Sequence, residues 1–141
     1  MPIQFFFLQD KSILKDRNAL KIFLPKVFRQ HKKQLSNLTY IFCSDNYLLG
    51  INKAHLQHDF YTDIITFDLS EITGQITGEI YISTDRVRDN AATLGVNIKE
   101  ELHRVIFHGA LHLCGFKDKS ARLQKEMRVA EDNLLTQYFK K

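Results

Sequence analysis

The stretch that decides how this chain is interpreted reads R-V-I-F-H-G-A-L-H-L-C-G-F-K-D and spans Arg104–Asp118. Its apolar residues recur at intervals of three and four, which is typical of a helix packed in a core. Between residues 105 and 114 the only polar side chains are His108 and His112. At positions i and i+4 of a helix, their Cβ atoms lie about 5–6 Å apart on one face, so both can bind one metal ion.

Gly115 ends this predicted helix, because a residue without Cβ readily takes the left-handed conformation that closes a helix. Asp118 then completes the spacing H-x3-H-x2-G-x2-D. Three protein ligands with one open position are typical of catalytic zinc sites, so we predict one Zn²⁺ bound by His108, His112 and Asp118. Two alternatives are core histidines satisfied by backbone carbonyls and, for the K-D-K triplet, a solvated turn.

Gly109 argues against one class of zinc hydrolase. In the H-E-x-x-H peptidases, a glutamate directly after the first histidine acts as the general base. That position is a glycine here, which favours a different hydrolysis.

Four segments of the chain resemble the YbeY family of bacterial metallo-endoribonucleases. The segment H-G-A-L-H-L-C-G-F at 108–116 resembles its H-G-x-L-H-L-x-G-[YF] motif. Ile51-Asn52, T-D-I-I-T-F at 62–67 and G-E-I-Y-I-S at 78–83 resemble its L-N, T-D-V-L-S-F and G-D-I-x-I-S segments. Order and spacing agree from about Asn37 to Met127, which is most of the chain.

The resemblance implies a zincin-like α+β fold, with a small mixed four-stranded sheet, one antiparallel edge strand and the metal-binding helix across it. It also implies a zinc-dependent endoribonuclease specific for single-stranded RNA. The implied substrate is the ribosomal RNA precursor of the small subunit (16S rRNA, at its 3′ end), and a role in ribosome quality control is implied as well. Two alternatives stay open: a ribosome-assembly factor whose metal is mainly structural, and a metallopeptidase-like hydrolase.

The sequence departs from the family at two positions. Lys117-Asp118 stands where the family usually has Asp-His, so the third ligand changes from imidazole to carboxylate. Aspartate oxygen also binds zinc, so metal binding is expected to survive. Leu56 stands where the family usually has an arginine that is linked to RNA cleavage.

Four further residues are candidates for supporting roles. His55 or His58 can replace the missing arginine as a phosphate contact, or be a loop histidine without a role. Arg104, one turn before His108, can hold a phosphate beside the metal or pair with Glu100 at i−4. Asp63 can orient a ligand histidine or cap a turn.

The length of 141 residues predicts one domain over residues 1–141. The net charge of +4 and pI near 9.1 fit an anionic partner and an ordinary basic protein equally well. Cys43 and Cys114 lack C-x-x-C spacing and are interpreted as buried thiols of a reduced protein. No signal peptide or membrane span is recognised, so a cytoplasmic location is expected.

Periodicity, caps and glycine stops predict one sheet in an α+β or α/β arrangement. Pro25 is expected to kink or split the first helix, and His103 is expected to be exposed. Strands are predicted at Ile3–Leu8, Leu38–Cys43, Ile64–Leu69 and Glu79–Ser83. Helices are predicted at Asp16–Lys33, from Ser44-Asp45 to about Leu56, from Thr84-Asp85 to Leu94, after Asn97, and after Ser120.

Overall fold

This computed structural model describes residues 2–56 and 61–140. The described chain forms a mixed sheet with helices packed against it, which confirms the predicted α+β class. The strands are β1 (Ile3–Phe7), β2 (Gln34–Cys43), β3 (Ile64–Asp68) and β4 (Gln75–Ser83). The helices are α1 (Arg17–Gln30), α2 (Asp45–Leu56), α3 (Thr84–Leu94), α4 (Ile98–Leu113) and α5 (Ala121–Phe139), and a 3₁₀ turn at Lys11–Ile13 precedes α1.

The sheet has the strand order β1-β2-β4-β3. β1, β2 and β4 are parallel, and β3 pairs antiparallel with β4 at one edge. β3 and β4 therefore form a hairpin, with Gly74 in its connection at φ 85°. β2 and β4 begin four residues earlier than predicted, at Gln34 and Gln75. They pair with each other over this extra length, although the side chains there are mostly polar or exposed.

α1 runs unbroken through Pro25, so the expected split does not occur. Proline in a helix interior costs about 3 kcal/mol. The buried face of α1 offsets this, because burying each large apolar side chain contributes about 1.5–3 kcal/mol. That face consists of Leu20, Leu24, Val27 and Phe28.

Side-chain caps start the later helices. Asn97 accepts a hydrogen bond from the Glu100 amide and Ser120 accepts one from the Leu123 amide, as predicted for α4 and α5. The start of α3 differs from the prediction. Ser83, the last residue of β4, caps it by accepting from the Arg86 amide at 3.1 Å, because the Thr84 hydroxyl is turned towards the Cys43 carbonyl.

α4 is the most buried helix of the described chain and lies across β3 and β4. Gly109 permits the close approach: a Cβ there would lie 2.8 Å from Ile80 Cδ1 and 3.0 Å from Ile64 Cδ1. The Tyr40 hydroxyl on β2 donates to the Ile106 carbonyl at 2.9 Å, which fixes α4 against the sheet. The histidines of α4 are thereby held at the edge where β3 ends the sheet.

His103 is 1% exposed, so the prediction that it is exposed is wrong. It points away from the cleft, as its spacing from His108 requires, but α1 and α5 cover that side of α4 too. Its Nε2 lies 2.7 Å from Asp16 Oδ2, and its ring stacks on Tyr138.

Both cysteines are free thiols, as predicted. Cys43 is fully buried, whereas Cys114 is partly exposed where α4 ends, so the prediction of burial holds for Cys43 alone. Burial raises the pKa of each thiol to about 12. Among the described residues, no helix is both long and apolar enough to cross a membrane.

Candidate metal centre

Three predicted ligand residues converge at the C-terminal half of α4. His108 and His112 present their rings edge to face, with centroids 4.6 Å apart. The loop after Gly115, whose φ is 110°, brings Asp118 back towards them. Asp118 Oδ2 lies 3.5 Å from His108 Nε2 and 3.4 Å from His112 Nε2. One donor atom from each of the three residues lies within 4.8 Å of the others.

The spacing of these donor atoms suits a metal ion. In a tetrahedral site with metal–ligand distances of about 2.0–2.1 Å, ligand atoms lie about 3.3–3.4 Å apart. The two distances to Asp118 are close to that value. The carboxylate and the two rings are partly exposed, so a fourth position faces the cleft.

The other ring nitrogens show which atoms can bind. His112 Nδ1 lies 3.0 Å from the Phe116 carbonyl, and His108 Nδ1 lies 2.5 Å from Glu131 Oε2. A carbonyl oxygen only accepts, so His112 Nδ1 carries the proton and its Nε2 lone pair faces Asp118. With His108 in the same neutral tautomer, two lone pairs and a carboxylate meet, and a cation satisfies all three.

Glu131 on α5 is the carboxylate that orients His108. It is 5% exposed, and its second oxygen accepts from Arg104 Nη1 at 3.0 Å. Burial by itself lowers the pKa of His108, but Glu131, followed by Asp118 and Asp63, raises it overall. Burial and the neighbouring His108 lower the pKa of His112. A carboxylate behind a ligand histidine fixes its tautomer and increases its basicity.

Glu131 is not among the site residues predicted from the sequence. It lies on another helix, 23 residues after His108. One signal was present: Met127, Leu134 and Leu135 form the buried face of α5, and Glu131 falls on that face. A carboxylate at a core position requires a partner, which is the only indication the sequence offers.

Arg104 does not pair with Glu100. Its guanidinium group contacts Glu131 at 3.0 Å and Asp132 at 2.7 Å, both on α5, and its side chain is 13% exposed. Hydrogen bonds to the two carboxylates raise its pKa against the opposing effect of burial. Arg104 therefore supports Glu131, which in turn holds His108.

The candidate metal centre opens into a cleft of about 820 Å³ between α2, β3, α4 and α5. Asp63 lines this cleft, and burial raises its pKa even though His108 opposes the shift. The second nitrogens of both ligand rings are occupied by Glu131 and Phe116, so Asp63 orients neither ring directly. Leu56 also lines the cleft and is 41% exposed.

The two candidate histidines near α2 have different outcomes. His55 is exposed, and its ring lies 6.1 Å from that of Phe67, outside the cleft lining. His58 lies outside the described residues.

A sequence model of the family described as Endoribonuclease YbeY matches residues 8–139. The chain belongs to the YbeY family. It is 48% identical over 133 residues to a protein of Cytophaga hutchinsonii named Endoribonuclease YbeY, covering 94% of this chain and 93% of that protein. A Porphyromonas gingivalis protein of the same name is 46% identical, over 84% of this chain and 78% of its own length.

The fold has a solved counterpart. The solution structure of a Thermotoga maritima protein is similar with a TM-score of 0.64 and 25% sequence identity, over 97% of this chain and 89% of that one. The predicted resemblance and the predicted fold class are both confirmed.

Proposed function

We propose that this chain is a zinc-dependent endoribonuclease that cleaves single-stranded RNA during maturation of ribosomal RNA. Its relatives are named Endoribonuclease YbeY, and they align over nearly the whole chain. The observation that carries the metal dependence is the convergence of His108, His112 and Asp118 on one point at an open cleft. The proposed substrate is the precursor of the small-subunit RNA, in the cytoplasm.

Zinc is the proposed ion because the donor set is two imidazoles and one carboxylate with a position left open. When bound, such an ion supplies a Lewis acid for the phosphodiester and lowers the pKa of a water molecule towards about 7. The residues of the chain have separate roles around it. His108, His112 and Asp118 hold the ion, and Glu131 keeps the proton of His108 on Nδ1.

Asp63 is the proposed proton-handling group of the cleft. Its carboxyl group is partly buried and its pKa is raised, and it accepts a hydrogen bond from the Asn90 side-chain amide at 3.5 Å. A carboxyl group with a raised pKa can exchange protons nearer to neutral pH than an exposed one.

The arrangement does not favour a peptidase. The residue after His108 is Gly109, and its Cα faces Ile80 and Ile64 in the sheet. A side chain there would collide with these two isoleucines, so this position is occupied by helix–sheet packing and carries no glutamate to serve as a base.

The experiment that tests the proposal combines metal analysis with cleavage. Purified protein should contain about one zinc ion per chain, and it should cleave single-stranded RNA in preference to a duplex of the same sequence. A chelator should abolish cleavage while circular dichroism still shows a folded chain. If unfolding accompanies metal loss, the ion is mainly structural, as expected of an assembly factor.

Histidine variants complete the test. His108→Ala and His112→Ala should lose both metal and cleavage, whereas His55→Ala, at an exposed site outside the cleft, should lose neither. His103 is an unsuitable control because it is buried. Equal zinc content in all variants would show that the ion binds elsewhere.

A further inference from the structure

Arg128 lies on the face of α5 that forms one wall of the cleft. On this face Gln124 is four residues before it and Glu131 three residues after it, and side chains at these spacings are neighbours on a helix. Gln124 Nε2 donates to the Asp118 carbonyl at 3.0 Å, and Glu131 holds His108. Arg128 therefore lies between the two α5 residues that contact the metal-ligand segments.

The guanidinium group of Arg128 is not engaged by a carboxylate. Within residues 2–56 and 61–140 it has neither a hydrogen bond nor an ion pair, and its side chain is exposed. Arg104, the other arginine of the cleft, is bound by Glu131 and Asp132. Burial and Asp63 raise the pKa of Glu101, whereas Arg104 and Arg128 lower it. The positive charge of Arg128 therefore acts on Glu101, which lines the cleft.

The cleft requires such a cation if a polyanion is to enter it. Its described α2 wall contributes Asn52 and Leu56, neither of which is charged. The described cations of its lining are Arg104, Lys117 and Arg128. The carboxylates of the lining outnumber them: Asp63, Asp68, Glu101, Asp118 and Glu131.

We infer that Arg128 binds a phosphate group of the RNA strand beside the metal centre. The inference rests on the proposed function, and it names a substrate contact within that site. Guanidinium presents a planar fork that donates two parallel hydrogen bonds to phosphate oxygens, a geometry that the compact ammonium group of Lys117 lacks. Binding from α5 places the strand across the open position of the metal site, because Arg128 adjoins both Gln124 and Glu131 on one helical face.

The test measures RNA affinity separately from metal binding. Zinc-loaded protein is titrated into a fluorescein-labelled single-stranded oligoribonucleotide whose 2′-hydroxyls are methylated, and fluorescence anisotropy gives Kd at several salt concentrations. Arg128→Gln should raise Kd at least about tenfold at low salt, since a hydrogen-bonded charge is lost. The slope of log K against log salt should fall by about 0.7, the value for one phosphate contact on a single strand.

Two further variants separate this role from general charge effects. Arg128→Lys should recover part of the affinity, because it keeps the charge without the fork. Arg122→Gln is the matched control: Arg122 is on the same helix, its side chain is 76% exposed, and it pairs with Glu126 outside the cleft. It should bind RNA within about twofold of the wild type, and zinc content should be unchanged in all three variants.

Two results would overturn the inference while leaving the proposed function intact. One is a Kd for Arg128→Gln within about twofold of a wild type that binds and cleaves RNA. The other is an equal loss in Arg122→Gln, which would indicate only a diffuse field. A wild type that neither binds nor cleaves RNA would overturn the proposed function and this inference together.

Discussion

Glu131 connects α5 to the metal centre through a single short hydrogen bond. It lies 2.5 Å from His108 Nδ1 and is itself held by Arg104. Glu131→Ala should weaken zinc binding roughly 10–100-fold, because the ring loses the partner that fixes its tautomer. Competition with a chromogenic chelator measures this without reference to RNA cleavage.

The control for Glu131 is its neighbour Asp132. Asp132 contacts Arg104 but neither ligand histidine, and its side chain is 55% exposed. Asp132→Asn should therefore change zinc affinity by less than about threefold, since exposed ion pairs contribute about 0–1 kcal/mol. Equal affinities in Glu131→Ala and wild type would mean that His108 is oriented by α4 alone.

Asp118 is the candidate ligand whose residue type departs from the usual pattern of the family, and its replacement distinguishes a ligand from a solvated turn. Asp118→Ala should lose most of the zinc affinity, because it removes the one anionic donor of the site. Asp118→His should retain the ion, since imidazole nitrogen binds zinc as well. Equilibrium dialysis measures both, and unchanged binding in Asp118→Ala would place the third ligand elsewhere.

The candidate ligands could be predicted from sequence because they are local. His108 and His112 lie one turn apart, and Asp118 follows a glycine turn, so spacing alone brings them together. Glu131 could not be predicted in this way. Its role depends on how α5 packs against α4, and no short spacing encodes that packing.

α4 packs closely on the sheet at Gly109. This close packing, rather than a role in catalysis, explains why the residue is glycine. Ala in a helix interior is favoured over Gly by about 1 kcal/mol. At Gly109 the added methyl group would press on Ile80 and Ile64, and overpacking costs about 1–3 kcal/mol. Gly109→Ala should therefore lower the free energy of unfolding by about 1 kcal/mol.

A second helical glycine provides the opposite case. At Gly50, in α2, an added Cβ has no described atom within 4 Å. Gly50→Ala should raise the free energy of unfolding by about 0.5–1 kcal/mol through helix propensity alone. Urea denaturation of both variants gives the sign of each change in the free energy of unfolding. If both variants were more stable than the wild type, the side chain of Ile80 would be able to move aside without loss of stability.

The presence and order of the helices and strands could largely be predicted from the sequence, but several of their first and last residues could not. Local patterns located the five α-helices and four strands of the described residues, because caps such as Asn97 and Ser120 and the apolar periods are encoded locally, but they did not locate the 3₁₀ turn at Lys11–Ile13. The early starts of β2 and β4 depend on their pairing with each other. The continuity of α1 through Pro25 depends on the core that its buried face contacts.

The start of α1 and the end of α5 meet α4 at a partly buried cluster on the side of α4 away from the cleft. Asp16, at the start of α1, accepts hydrogen bonds from His103 on α4 and from the Tyr138 hydroxyl near the end of α5. His103 was expected in solvent because its spacing of five residues from His108 places it on another face of α4. α1 and α5 pack on the face of α4 that carries His103, so this face is buried as well. The residues that cover it are far from His103 in sequence.

This cluster predicts how stability depends on pH. Burial by itself would raise the pKa of Asp16, but hydrogen bonds from His103 and Tyr138 lower it from 3.8 to about 2. The folded chain therefore binds protons less readily than the unfolded chain between pH 4 and 2. The stabilisation is fully present above about pH 4, and it is lost as pH falls through about 2. Its size is on the order of 2 kcal/mol, because one pKa unit corresponds to about 1.4 kcal/mol.

Asp16→Asn tests this coupling, since the amide oxygen still accepts hydrogen bonds but carries no charge. The variant should be less stable than the wild type by on the order of 2 kcal/mol at pH 7. The difference should shrink as pH falls from 4 to 2, because the wild-type carboxylate then becomes protonated. The free energy of unfolding of both proteins is measured by urea denaturation across this pH range. Because Asp63 and Glu101 are present in both proteins, their contributions cancel in the difference. Two stability curves that stay parallel down to pH 2 would show that His103 and Tyr138 hold Asp16 no more tightly as a carboxylate than as an amide.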